Sequence, residues 1–301
     1  MFISIIIAKF AAKTFKPIAM RLFFYIILML MPLRIAAKPS LATANIADER
    51  QLLQLLDSYV DRRDDFAKQK EAKINKLKLK LRTADNNTSR PAILNSIYHE
   101  YYTYSYDSAM VYVNRGLDLA QAINNSHYTT LNRINRAAVL STGGFYSQAE
   151  MLLQEIGAKG VPANLKQYYY YTQTWLYNYW ESFCSKSEFA SHYHQKKIEY
   201  LQLTVDATSP NDVALHAYLS GELAFMGNPL SKTVLKLYTA ALDNSPVDSR
   251  VHASAAYCVA RYHREMGDML LYEKYIVEAA ISDMVCPLKE NLALQEFSTY
   301  L

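Results

Sequence analysis

Met266-Gly267-Asp268-Met269-Leu270-Leu271-Tyr272-Glu273-Lys274-Tyr275-Ile276-Val277-Glu278-Ala279-Ala280-Ile281-Ser282-Asp283 is the stretch that decides the fold. A glycine turn opens it, and Tyr272, Tyr275, Ile276, Ala279 and Ala280 follow at three- and four-residue steps, the apolar period of a helix. Small residues let a second, antiparallel helix approach closely, while the aromatic and aliphatic ones fill the space between the two. Glycine lets the chain reverse.

The same arrangement recurs upstream. Gly143-Gly144-Phe145-Tyr146-Ser147-Gln148-Ala149 precedes Leu152 and Leu153, and Leu237-Tyr238-Thr239-Ala240-Ala241-Leu242-Asp243 closes on Pro246. With these residues the chain resembles the tetratricopeptide repeat, whose units are helix hairpins of about 34 residues. Helix pairs are expected at 91–104 with 107–123, 127–142 with 145–156, 164–183 with 187–203, 211–226 with 231–244, and 248–266 with 269–283. Ala109, Gly116, Ala149, Ala241 and Ala279 take the positions where paired helices touch. A lone pair has an apolar face with nowhere to go, so stacking supplies its partner. The expected fold is all-α: a right-handed solenoid of about five helix pairs over residues 91–301. Eight Gly and nine Pro, most of them at helix boundaries, agree with this reading.

Residues 48–83 stand apart. Leu52, Leu56, Tyr59, Phe66, Ile74, Leu77 and Leu81 hold a helical stripe free of Gly and Pro, so one long helix is expected. Its second half carries seven basic residues against Glu71 alone. Such a stretch suits nucleic acid or an acidic lipid surface, but the aromatic interleaving that single-stranded nucleic acid requires is absent and a solvated outer face is expected, with oligomerisation through this helix as a further use.

Residues 1–44 read as a targeting segment. Met20-Arg21 precedes an apolar run from Leu22 to Met31, a breaker at Pro32 and small residues beyond, the order of a secretory signal. Cleavage fits after Ala37 or Ala44, Met20 is an alternative start, and an uncleaved signal anchor is the competing reading. The apolar runs are shorter than the roughly 20 residues of a membrane span. A periplasmic location follows as an expectation, with attachment to the inner membrane through this segment or through a missing downstream span.

Little chemistry is expected. His192 and His194 diverge on a helix, His252 and His263 lie three turns apart, and His99-Glu100 lacks a second histidine. Cys184, Cys258 and Cys286 make no zinc pattern. A bridge between Cys258 and Cys286 is geometrically conceivable in an oxidising compartment, although buried thiols fit better. No phosphate loop or nucleophile setting occurs, so neither enzyme activity, metal nor cofactor is expected. A net charge of +4 carries no class of partner with it.

Aromatic content is the remaining signal. The chain has 25 Tyr, and Tyr168-Tyr169-Tyr170-Tyr171, Trp175, Tyr177, Tyr179 and Trp180 crowd one helix. Counting from the turn glycines puts Tyr98, Tyr101, Tyr102, Trp175, Tyr179, Tyr257, Arg261 and Arg264 on the concave side of the first helices. Tyr98, Tyr101, Trp175, Tyr179, Tyr257 and Arg261 are the candidate partner-binding residues, aromatic anchors joined to a cation suited to a carboxylate. For each of them a place in the core is the alternative.

A narrower resemblance lies in Leu52-Leu53-Gln54-Leu55-Leu56-Asp57, Arg62-Arg63-Asp64, Lys70-Glu71-Ala72-Lys73-Ile74-Asn75-Lys76-Leu77-Lys78, Tyr106-Asp107-Ser108-Ala109-Met110 with Arg115-Gly116-Leu117, and Ala280-Ile281-Ser282-Asp283 with Lys289-Glu290-Asn291-Leu292-Ala293-Leu294. These resemble a Bacteroidetes family of signal-bearing tetratricopeptide regulators, annotated mainly by a domain of unknown function, over about residues 50–301. The resemblance implies an extracytoplasmic array followed by further helices, a span, a coiled coil and a cytoplasmic regulatory end. The chain departs from that pattern by stopping at Leu301 within the helix expected at 289–301, so a truncated or split gene product stands among the readings. Two functional classes stay open: the sensing or docking part of a membrane regulator, which meets a peptide or envelope protein, and a free periplasmic scaffold or assembly factor.

Overall fold

The computed structural model describes residues 49–84, 89–286 and 292–300, all within one unit, Ser40–Leu301. The expected targeting segment, 1–44, lies outside the described residues. Among those described, every regular element is helical. Two helices, α1 (Glu49–Val60) and α2 (Arg63–Thr83), precede five hairpins. These are α3 (Arg90–Tyr102) with α4 (Tyr106–Ala122), α5 (Ser126–Thr142) with α6 (Tyr146–Ile156), α7 (Lys166–Phe183) with α8 (Ala190–Ala207), α9 (Val213–Gly227) with α10 (Lys232–Asp243), and α11 (Arg250–Glu265) with α12 (Met269–Val285). A last helix, α13 (Leu292–Tyr300), packs on α12.

Local chemistry sets the hairpins. Gly144 and Gly267 turn with φ of 82° and 77°, a region where a side chain is strained. Asn125, Asp212, Ser231, Ser249 and Asp268 cap the helices that follow them by accepting a backbone N–H through their side chains. The small contact residues are buried: Ala109, Ala149 and Ala241 are 0% exposed and Ala279 is 1% exposed. Gly116 leaves room for the Asn132 side chain and Gly221 for the Tyr238 ring, which a Cβ would approach to 2.6 and 2.7 Å.

The long helix expected over 48–83 is two helices. Between Tyr59 and Phe66 the sequence offers Val60 and then only charges, Asp61 to Asp65, so the stripe has nothing to bury there. The chain breaks at Asp61-Arg62. Arg62 lies over both the Tyr59 and Phe66 rings, which stack across the break at 6.0 Å, while Asp64 and Asp65 sit favourably at the positive end of α2.

The break lets the two helices serve different partners. α2 places Ile74 and Leu81 in a core with Leu94, Ile97, Tyr98 and Val113 of the first hairpin. α1 places Leu52 and Leu56 with Ile276, Ala280 and Met284 of the last. Because α2 packs on α3, and both α1 and α2 touch α12, the entry segment bridges the two ends of the repeat array. The three cysteines are free thiols, so Cys258 and Cys286 are not bridged.

Candidate recognition site

The first helices α3, α5 and α7 touch in turn, as do α9 and α11, and α7 carries the densest aromatic chemistry among them. Tyr168, Tyr171, Trp175 and Tyr179 follow one another at helical spacing. Trp175 meets Tyr171 edge-on at 6.1 Å and Tyr179 at 5.6 Å between ring centres. Opposite them, at the first turn of α11, the Arg250 guanidinium lies 5.7 Å from the Trp175 ring centre, with Tyr179 close by. Tyr102, from the end of α3, interacts with Tyr179, Tyr168 and Arg250. Side chains of the first, third and fifth hairpins therefore converge on one cation.

Arg250 keeps much of its surface exposed while the rings of α3 and α7 stand around it. Burial pulls its pKa down, yet Tyr171, Tyr179 and Tyr102 outweigh this and leave it above its ordinary value. Burial also raises Tyr102 and Tyr171, and pushes Tyr168 up to about 12. Asp283, at the end of α12, is pushed up to about 7 by burial against the pull of Arg250. A cation at a helix N-terminus opposes the helix dipole, so Arg250 gains nothing from where it starts α11. The ring supplies aromatic faces, hydroxyl tips and one positive charge, a set suited to an anionic or mixed polar and apolar ligand.

The six residues singled out from sequence do not form one cluster. Trp175 and Tyr179 do meet, in the ring just described. Tyr98 is 0% exposed and Tyr101 6%, which puts both in the core and off the concave surface. The Tyr98 hydroxyl is held between Asn135 O and Tyr168 Oη, whereas the Tyr101 ring stacks on Tyr104 and Tyr112 under Lys78. The reason is register: on a helix packed on two sides, an aromatic two or three positions from the open face still lies against a neighbour.

Tyr257 and Arg261 form a separate place beside α13. The Tyr257 hydroxyl donates to Glu296 at 2.7 Å, and Glu296 also takes Arg264 and the Tyr272 hydroxyl. Arg261 lies over Phe225, 4.1 Å from the ring centre, and feels the charge of Glu222. Arg250 was missed altogether, although Ser249 before it marks a helix start from which a side chain could point inward.

A family model described as the SusR N-terminal TPR domain matches residues 60–301. No curated protein matches the chain.

Proposed function

We propose, for a chain that belongs to the SusR N-terminal TPR domain family of a Bacteroidetes regulator, that it is a non-catalytic, extracytoplasmic recognition domain whose interior ring binds a peptide or protein ligand on behalf of a signalling or transcriptional regulator. Tetratricopeptide arrays generally mediate protein interactions. The observation that supports a ligand in the ring is Arg250 of the fifth hairpin, held 5.7 Å from Trp175 beside tyrosines of the first and third hairpins. Its surroundings fit a carboxylate: the guanidinium donates in pairs, and Trp175 and Tyr179 offer flat area at small entropic cost.

The test uses Trp180→Phe protein, so that Trp175 alone reports fluorescence. Titration with a mixture of tripeptides bearing free C-terminal carboxylates should change the emission saturably, and the same mixture amidated should not. Arg250→Gln should weaken the response at least tenfold, and Trp175→Ala should leave the melting temperature nearly unchanged. Equal responses to both mixtures, or to wild type and Arg250→Gln, would overturn the reading. Location is tested separately with alkaline phosphatase fused after Leu301, which should be active only if the array is exported.

A further inference from the structure

A second concentration of charge lies away from the ring, where α2 ends and the first hairpin begins. Lys78, Leu81 and Arg82 of α2, Arg90 of α3, and Tyr112 and Arg115 of α4 line a hollow of about 170 Å³. Four of these six residues are cations and none is an acid. Other lysines of the same helix have acidic partners: Lys70 and Lys73 share Glu100, at 3.1 and 2.6 Å, and Lys68 pairs with Asp65. Among the described residues no ion pair reaches Lys78, Arg82, Arg90 or Arg115. The Arg90 Nε is moreover shut off from solvent without an acceptor, and such a group costs stability until one arrives.

Two of the cations are held in place by aromatic faces. Lys78 Nζ lies 5.3 Å from the Tyr101 ring centre and the Arg115 guanidinium 5.1 Å from that of Tyr112, and these two rings stack on each other at 5.6 Å. Lys78 and Arg115 are thus pre-ordered beside one small space, where the four cations repel one another. Stacking on Tyr112 beneath Lys78 also accounts for the position of Tyr101, which lies apart from the Trp175 ring.

We infer that the hollow between Lys78, Arg82, Arg90 and Arg115 is a binding site for a compact, multiply charged anion of the phosphate class, a phosphate ester or pyrophosphate group. Guanidinium groups match phosphate oxygens in pairs, a lysine adds a point charge, and the small volume admits a head group and not a peptide helix. The group can come from a soluble phosphate compound or from the head group of an anionic phospholipid. The shared chemistry is the same in either case.

The experiment uses the full chain with inorganic pyrophosphate as the first probe. Added pyrophosphate should raise the melting temperature, whereas sodium chloride at matched ionic strength should not. Arg90→Gln and Arg115→Gln should each weaken the apparent affinity at least tenfold, with circular dichroism unchanged and the fluorescence response of the Trp175 ring intact. Lys73→Gln, which removes a lysine already paired to Glu100, should have little effect. Vesicles with one third phosphatidylglycerol form the second probe: co-sedimentation lost in Arg90→Gln identifies a lipid head group, and pyrophosphate binding without co-sedimentation identifies a soluble phosphate. No stabilisation by pyrophosphate and no vesicle binding, or responses that Arg90→Gln and Arg115→Gln leave unchanged, would overturn the site. None of these residues lies in the Trp175 ring, so failure here leaves the proposed recognition site standing.

Discussion

His252 Nε2 lies 3.1 Å from Glu278 Oε1 between α11 and α12, with both side chains out of water's reach. The other ring nitrogen, Nδ1, reaches Ser245 O at 3.0 Å, and Glu278 Oε2 has no partner. One hydrogen bond therefore joins two groups that would each be costly to leave alone. Breaking such a buried pair from one side typically costs about 3 to 5 kcal/mol. His252→Ala should lower the unfolding free energy measured in urea by an amount in that range, whereas His252→Leu combined with Glu278→Met should recover part of the loss. A recovered double variant would show that apolar packing in its place does much of what the pair does for stability.

The close contacts give a sharper test of repeat register. A Cβ on Gly221 would stand 2.7 Å from the Tyr238 ring, whose hydroxyl is tied to Glu222 at 2.7 Å and so cannot swing away freely. Gly221→Ala would normally stabilise a helix by about 1 kcal/mol. Here overpacking should reverse the sign, with a net loss of about 1 to 3 kcal/mol in chemical denaturation. Ala279→Leu, at a site 1% exposed, should cost a similar amount.

The hairpins were legible because small residues and turn glycines act locally. Gly267 and Ala279 announce their roles in any sequence window that holds them. The break at Asp61-Arg62 was less legible, since a helical stripe says where apolar residues point but not whether one partner or two will receive them. α1 and α2 separate because the two ends of the array offer different surfaces. The ring was half legible for the same reason. Trp175 and Tyr179 share a helix and could be read together, but Arg250 and Tyr102 reach them only through long-range closure.

Burial of Asp283 has a consequence for pH. Its folded pKa of about 7 stands above the unfolded value near 4, so the folded chain holds a proton that the unfolded chain releases. Stability contributed by this group is therefore present below about pH 4 and lost as pH rises toward 7, at up to about 1.4 kcal/mol per pH unit. Glu100 and Glu181, lowered by their lysine partners against the opposing effect of burial, act in the reverse sense. The difference between wild type and Asp283→Asn isolates the effect: the variant should gain relative stability steadily from pH 4 to pH 7. A difference that stays flat over that range would mean that Asp283 is well solvated.

Closure itself rests on few side chains. Leu52 and Leu56, each 6% exposed, are the fully buried apolar residues of α1, and both enter the core of the last hairpin. Replacing both with Ala should free α1 from α12, since each removes about 2 to 5 kcal/mol of packing. In an array held by nearest neighbours the damage stays near the bridge, so amide exchange should quicken over residues 49–60 and 269–285 while residues 126–156 keep their protection. Closure also holds Arg250 of the fifth hairpin toward Tyr102 of the first. Trp175 should then become more accessible to acrylamide in the double variant even though neither substitution touches it. Quickened exchange confined to residues 49–60, with Trp175 quenching unaltered, would show that the hairpins keep the ring together without the bridge.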